Sequence, residues 1–512
     1  MLNLATILEE SALRQSEKAA FILGESTITY SELNTFANKI ANYLTQNGLT
    51  IGQKVALSCP NLPYFPAIYY GILKAGGTVV PLNILLKPSE INYHLTDADV
   101  QFYFCFTGSP ELPIGQFGFE AFESTSTCNH FIEITPSLTD KPTYGAISLG
   151  EAIQTQSTKY QYTATSSDDV AVILYTSGTT GKPKGAELTH SNMLVNAQVS
   201  QGLFEMSLDD KMLITLPLFH SFGQTVLMNC SILNGSTSVL LPKFTPKTAL
   251  ELMEHHQVTI FAGVPTMYWA LIAHPDIKKY ASNIRQNLKL AASGGAALPM
   301  QVLKEFKEIF EAPILEGYGL SETSPVACFN HLHAENKPGS IGTPVWGVQM
   351  DIHDKEGNAL ATDEVGEVVI RGHNIMKGYL NRPSETAEVL KDGWFYTGDL
   401  GKKDSDGYFY IVDRTKDMII KSGFNIYPRE IEELLITHQA VSLAAVIGVP
   451  DKRKGEEVKA FVQLKPEHAV EKHELQKFCQ EHLADYKLPR FIEIVGQLPI
   501  SATGKILKRE LK

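Results

Sequence analysis

Apolar and polar positions follow two rhythms along the first four hundred residues. In "TYSELNTFANKIANYL", Leu33, Phe36, Ala37, Ile40, Ala41 and Leu44 recur every three or four positions, which places them on one helical face. Thr29 and Glu32 have the spacing of a capping box, and Gly48 marks the stop. "KVALSCPN" and "GTVVPLN" are instead short unbroken apolar runs that predict buried strands, with "FPAIYYGILKAG" a helix between them. Further on, "DDVAVILYTSG", "KMLITLPL", "VTIFAGVP" and "LKLAASGG" repeat one pattern, an apolar run ending in small or hydroxyl residues. Any one of these could be an ordinary strand and turn. Four together predict an α/β core with ligands bound where its strands end.

Beyond Gly393 the pattern changes. "GWFYTGDLGKKDSDGYFYIVDRTKDMIIKSG" predicts a β-hairpin turning at "DSDG". "YPREIEELLITHQAVSLAAVIGVPD", "VKAFVQLK" and "ELQKFCQEHLADYKL" then predict helix, strand, strand and helix. A boundary between Asp413 and Asp417 divides the chain into residues 1–415 and 416–512. No low-complexity segment or internal repeat is evident.

The 512 residues exceed one ordinary domain, and 44% hydrophobic with 20% charged residues describes a soluble globular protein. A net charge of −12 argues against nonspecific nucleic-acid binding but leaves room for a small anion held by a few cations. Six cysteines without a CxxC pair predict reduced thiols. "MLNLATILEESALRQ" lacks the basic and apolar regions of a signal peptide. The most apolar window, "AIYYGILKAGGTVVPLNILL", is interrupted by Lys74 and two glycines, so no transmembrane segment is expected. The expectation is a cytoplasmic protein, with peripheral membrane contact and a homodimer both left open.

"YTSGTTGKPKG", Tyr175 to Gly185, gathers three glycines, two lysines and several hydroxyls into eleven residues. It is not a Walker A loop, because Gly178 and Gly181 are too close and Lys182 is followed by Pro183. Two readings remain. It is a flexible turn, or it is a concave loop whose N–H groups, hydroxyls, Lys182 and Lys184 face phosphate oxygens.

The longer string "YTSGTTGKPKGAELTH" resembles the signature of the adenylate-forming superfamily: acyl-CoA synthetases, aryl-CoA ligases, amino-acid-activating domains and firefly-type luciferases. "LEGYGLSETSP", "YTGDLG", "YIVDRTKDMIIKSGFNIYPREIE" and "SATGKILKR" are similar to its other motifs, in the same order, from about Thr29 to the end. The resemblance implies a large α/β N-terminal domain with a distorted β-barrel portion and a small mobile α+β C-terminal domain. It implies ATP, Mg²⁺ and CoA: a carboxylate attacks the α-phosphate, pyrophosphate leaves, and a thiol displaces AMP. Positioning and electrostatics dominate such chemistry.

Carried over residue by residue, Thr176, Ser177, Gly178, Thr179, Thr180, Gly181, Lys182 and Lys184 would hold phosphates. Glu322 would hold Mg²⁺ and Ser321 would bond phosphate. Adenine would lie between Gly295 and Ala296 on one side and Glu316, Gly317, Tyr318 and Gly319 on the other. Asp399 would bind the ribose hydroxyls, Arg414 ribose or phosphate, and Lys505 the carboxylate and α-phosphate. Lys416 stands at the expected pivot, where the family often has Asp, and Ser422 and Gly423 on the face that would admit pantetheine. The neighbouring Lys508, Arg509 and Lys512 read as a solvated basic tail.

Phe219, His220, Gly263, Val264 and Pro325 would line the acyl slot. In the amino-acid-activating branch an Asp follows the aromatic residue; here His220 follows Phe219, which disfavours an ammonium-bearing substrate. A zinc site is not supported, since HExxH is absent. "VTIFAGVPTMY" and "GHNIMKGYLNRPSET" look most like fatty acid–CoA ligases. The alternatives are an aryl-CoA ligase or an acyl-AMP ligase that loads a carrier protein. A luciferase-like oxygenase and a non-catalytic binding protein rank below these.

Overall fold

The computed structural model describes residues 2–144, 147–176, 182–422, 424–451, 453–466, 468–501 and 504–511. Local signals take effect where they were expected. Thr29 and Glu32 form a reciprocal capping box that starts the helix Tyr30–Gln46, which buries Leu33, Ala37, Ile40, Ala41 and Leu44. The helix Tyr64–Lys74 packs against it. Lys74, which interrupts the apolar window, is fully buried and bonded to Glu9 at 2.5 Å. A charge in that window therefore marks an internal ion pair.

Four sheets organise the described residues. In a nine-stranded sheet, Lys211–Ile214, Ile260–Gly263, Leu290–Ser293 and Ile314–Gly319 run parallel as successive neighbours. Four of the segments carrying candidate residues thus leave the same end of one sheet side by side. An eight-stranded sheet contains Lys54–Ser58, Thr78–Pro81 and Val170–Thr176 in parallel. Val170–Thr176 then pairs antiparallel with Lys184–Thr189, matching Thr176 with Lys184. The glycine-rich segment therefore joins two antiparallel strands, with the helix His190–Leu203 only after the second.

A five-stranded antiparallel sheet includes Val348–His353, Gly366–Gly372, Trp394–Lys403 and Phe409–Arg414. Its hairpin turns at the predicted "DSDG" and sets Asp399 directly opposite Arg414. The last sheet uses Ile419–Lys421, Phe424–Ile426, Val441–Asp451, Gly455–Leu464 and Phe491–Val495. The expected helices are Pro428–Thr437 and Lys472–His482. This smaller unit has an apolar core of its own, built wholly from Ile419 onward. No helix among the described residues is long and apolar enough to cross a membrane.

Candidate active site

Lys505 comes from the small unit but sits among residues of the large one. A short loop carries it: Ile500 bridges Ile506, the Ser501 amide donates to the Lys505 carbonyl at 2.7 Å, and the Lys505 amide donates to Ser501 Oγ at 3.1 Å. Gly504 turns this loop with φ +79°, and the Thr266 hydroxyl donates to its carbonyl at 3.4 Å. Lys505 Cε lies 3.3 Å from where a Cβ on Gly295 would stand. Burial, then the nearby Arg414, lower the ammonium pKa, while Asp399 and Glu322 oppose the shift.

Tyr318 donates to Asp399 Oδ2 at 2.6 Å, and Arg414 Nε lies 3.2 Å from Asp399 Oδ1. The hairpin register places Arg414 there, and the end of Ile314–Gly319 supplies Tyr318. Glu322 is the middle residue of a tight turn after that strand and is 8% exposed. Tyr379 donates to its Oε1 at 3.0 Å, and burial raises its pKa above the usual carboxylate range. Ser321 opens the same turn.

Glu316 is buried, accepts the Leu298 amide at 3.1 Å, and is pushed up to about 7, chiefly by burial. Gly317 and Gly319 are dictated by packing: a Cβ would stand 2.1 Å from Phe329 Cδ2 or 1.8 Å from the Pro325 carbonyl oxygen. Gly295 and Ala296 are exposed on the loop after Leu290–Ser293.

His220 precedes a fully buried π-helix, Phe222–Asn229. Its Nδ1 accepts the Phe222 amide at 3.3 Å, and burial followed by the Lys505 charge pushes the ring down to about 3. The imidazole is therefore neutral near pH 7. Phe219, Gly263, Val264 and Pro325 are each buried on the segments expected to form the slot. Val264 does something further, because its Cγ2 would stand 2.5 Å from a Cβ on Gly504. It seats the lysine loop.

Thr176 ends its strand with its hydroxyl 3.4 Å from the Lys184 carbonyl. Lys182 Nζ stands 5.2 Å from the Tyr93 ring centroid, and Lys184 Nζ 5.1 Å from that of Tyr379. Ser177, Gly178, Thr179, Thr180 and Gly181 lie outside the described residues, as does Gly423. Lys416 is exposed beside the junction, and Ser422 has φ +52°.

Three contributors escape the sequence reading. Tyr379 holds Glu322 and underlies Lys184; its only trace is the "GYLNRPSET" string. Thr266 and Gly504 dock the lysine loop, and Gly504 is visible only as part of "TGK". The basic-tail reading also needs correction for Lys508. It pairs with Glu432 at 2.7 Å, and Glu432 accepts the Val446 amide as well.

One carboxylate with adjoining room for phosphate suits Mg²⁺, which keeps several waters and takes one or two protein carboxylates. Among the described residues no group of three or more His, Cys, Asp or Glu could hold a metal by itself. Glu322 fits the first arrangement, since among the described residues no cation is ion-paired with its buried carboxylate.

Residues 8–380 match the AMP-binding enzyme family and residues 430–505 the AMP-binding enzyme C-terminal domain. A long-chain-fatty-acid–CoA ligase of Bacillus subtilis (strain 168) is 39% identical, over 99% of this chain and 94% of the relative. A feruloyl-CoA synthase of an Amycolatopsis species is 34% identical over 96% and 94% respectively. Among solved structures, ATP-bound MatB from Rhodopseudomonas palustris superposes with a TM-score of 0.90 at 31% identity, covering 100% of this chain and 98% of that one. With both family regions matched and relatives aligned almost end to end, the chain belongs to the AMP-binding, adenylate-forming enzymes.

Proposed function

We propose that the protein is an ATP-dependent fatty acid–CoA ligase whose small unit, 416–512, takes a different orientation on the large unit, 1–415, for each of two catalytic stages. The observation that carries this reading is Lys505 seated beside Gly295, within the influence of Asp399 and Glu322. A fatty acid carboxylate attacks the α-phosphorus of ATP, the bond to the bridging oxygen breaks, and pyrophosphate departs. Lys505 supplies positive charge to the carboxylate and α-phosphoryl oxygens. Lys182 and Lys184 bear on the β- and γ-phosphates. Asp399 accepts the ribose hydroxyls, with Arg414 beside it, and Tyr318 stacks on the adenine. Glu322 would hold Mg²⁺, which when bound neutralises phosphate charge.

In the second stage the CoA thiol attacks the acyl carbonyl and AMP leaves. The small unit pivots at Lys416, withdrawing Lys505 and bringing the face with Ser422 and Gly423 to the site. Neutral His220 lines the acyl slot without adding charge to it.

The test is mass-spectrometric identification of products from ATP, Mg²⁺ and a panel of fatty, aryl and amino acids, with and without CoA. Acyl-CoA and AMP from fatty acids support the reading, and absence of any acyl-AMP or acyl-CoA refutes it. Lys505→Ala should remove most adenylation yet leave acyl-AMP plus CoA turnover largely intact; equal loss of both stages would sink the two-stage division. The 34% identity to a feruloyl-CoA synthase favours an aryl acid as the second reading, which the same panel distinguishes. Acyl-AMP that accumulates despite CoA would identify a carrier-protein acceptor instead.

A further inference from the structure

Both stems of the loop expected to meet phosphate are tied to one polar ring outside the nucleotide site. On the entering stem, the Tyr175 hydroxyl donates to Asp97 Oδ2 at 2.8 Å. On the leaving stem, the Pro183 carbonyl accepts the Tyr93 hydroxyl at 2.8 Å. Arg382 closes the ring, with Nη2 2.9 Å from the Tyr93 hydroxyl and 3.1 Å from Asp97 Oδ1. Tyr93 and Asp97 share the helix Pro88–Asp97, one turn apart.

We propose that Tyr93, Asp97, Tyr175 and Arg382 form a clasp that presets the two stems of the phosphate-binding loop, making them positioning residues for adenylation. The inference rests on the reading that this loop takes the phosphates of ATP. Three features argue for positioning over ordinary surface pairing. The ring spans segments far apart in sequence, and its polar groups are partly buried. The Tyr93 ring also lies beneath Lys182, so one side chain fixes both a stem and a loop cation. Finally, Arg382 and Tyr379 share one short turn, in which the Arg382 amide donates to the Tyr379 carbonyl at 3.1 Å. Tyr379 in turn bonds Glu322. A single segment thereby reaches both the stems and the buried carboxylate. Arg382 is ion-paired with Asp97 at 3.1 Å and with Glu385 at 3.5 Å, and lysine could not reproduce its fork to the Tyr93 hydroxyl and Asp97.

The test is calorimetric binding of MgATP and of AMP to wild type, Tyr93→Phe and Tyr175→Phe. Each substitution removes one hydroxyl and keeps the ring. The clasp predicts that each variant binds MgATP about fivefold more weakly, the effect of one modest hydrogen bond, with AMP affinity unchanged because AMP lacks the β- and γ-phosphates. Unchanged MgATP affinity in both variants, or equal weakening for MgATP and AMP, overturns the clasp while leaving the ligase reading intact. Wild type that binds no MgATP overturns the reading beneath it.

Discussion

Gly504→Ala perturbs the docking of the lysine loop at a residue that is not itself expected to touch substrate. At φ +79° an alanine carries about 1 kcal/mol of left-handed strain. That term is present whether or not the loop is docked, so it lowers stability without selecting between positions of the small unit. The second term belongs to the docked state alone. The new Cβ would stand 2.5 Å from Val264 Cγ2 and 3.0 Å from Thr266 Oγ1. Overpacking of this kind costs about 1–3 kcal/mol. At about 1.4 kcal/mol per factor of ten, adenylation should fall roughly 5- to 150-fold. Under the proposed two-stage scheme thioester formation from preformed acyl-AMP proceeds with the lysine withdrawn and should change little. The assay compares ATP-dependent pyrophosphate release with acyl-AMP plus CoA turnover, alongside a melting curve. Val264→Ala removes the atom that the new Cβ strikes, so the double variant should recover part of the lost adenylation. Undiminished pyrophosphate release in Gly504→Ala, or a double variant no better than the single, would refute the docking geometry.

Glu316 yields a pH prediction. Its folded value of about 7 lies above the ordinary value of 4.5, so between those limits the folded state holds more protons than the unfolded one. The native state should therefore lose about 3 kcal/mol as pH rises from 4.5 to 7. Glu316→Gln should flatten that part of the profile and raise the melting temperature of the ligand-free protein at pH 8; an unchanged profile would refute the burial argument. Lys508→Met leaves Glu432 without its 2.7 Å partner. Because the lysine is 24% exposed, the expected destabilisation is about 1–3 kcal/mol, less than for a fully buried pair. A melting temperature matching wild type would return Lys508 to the solvated tail.

Short-range physics was legible in the sequence. The Thr29–Glu32 cap, the hairpin at "DSDG" and the helix-strand-strand-helix order of the small unit depend on residues within a few positions of one another. So do the buried strand runs, whose apolar character reflects burial on both faces. The apolar runs ending at Ile214, Gly263 and Ser293 likewise became neighbouring parallel strands of one sheet. The partners of charged side chains were another matter. Nothing near Lys74 announces Glu9, sixty-five residues earlier, and nothing near Glu322 announces Tyr379. Gly317 and Gly319 suit a flat base in sequence, yet the structure shows Phe329 and the Pro325 carbonyl already filling the space of any Cβ. Lys508 reads as a tail residue until the fold brings Glu432 beneath it. By itself, then, the sequence determined the elements and their order, because helix caps, turns and apolar runs are local interactions. Tertiary structure alone decided which cation meets which carboxylate, which glycines are sterically required, and that Lys505 reaches the large unit at all, because each depends on contacts between segments distant along the chain.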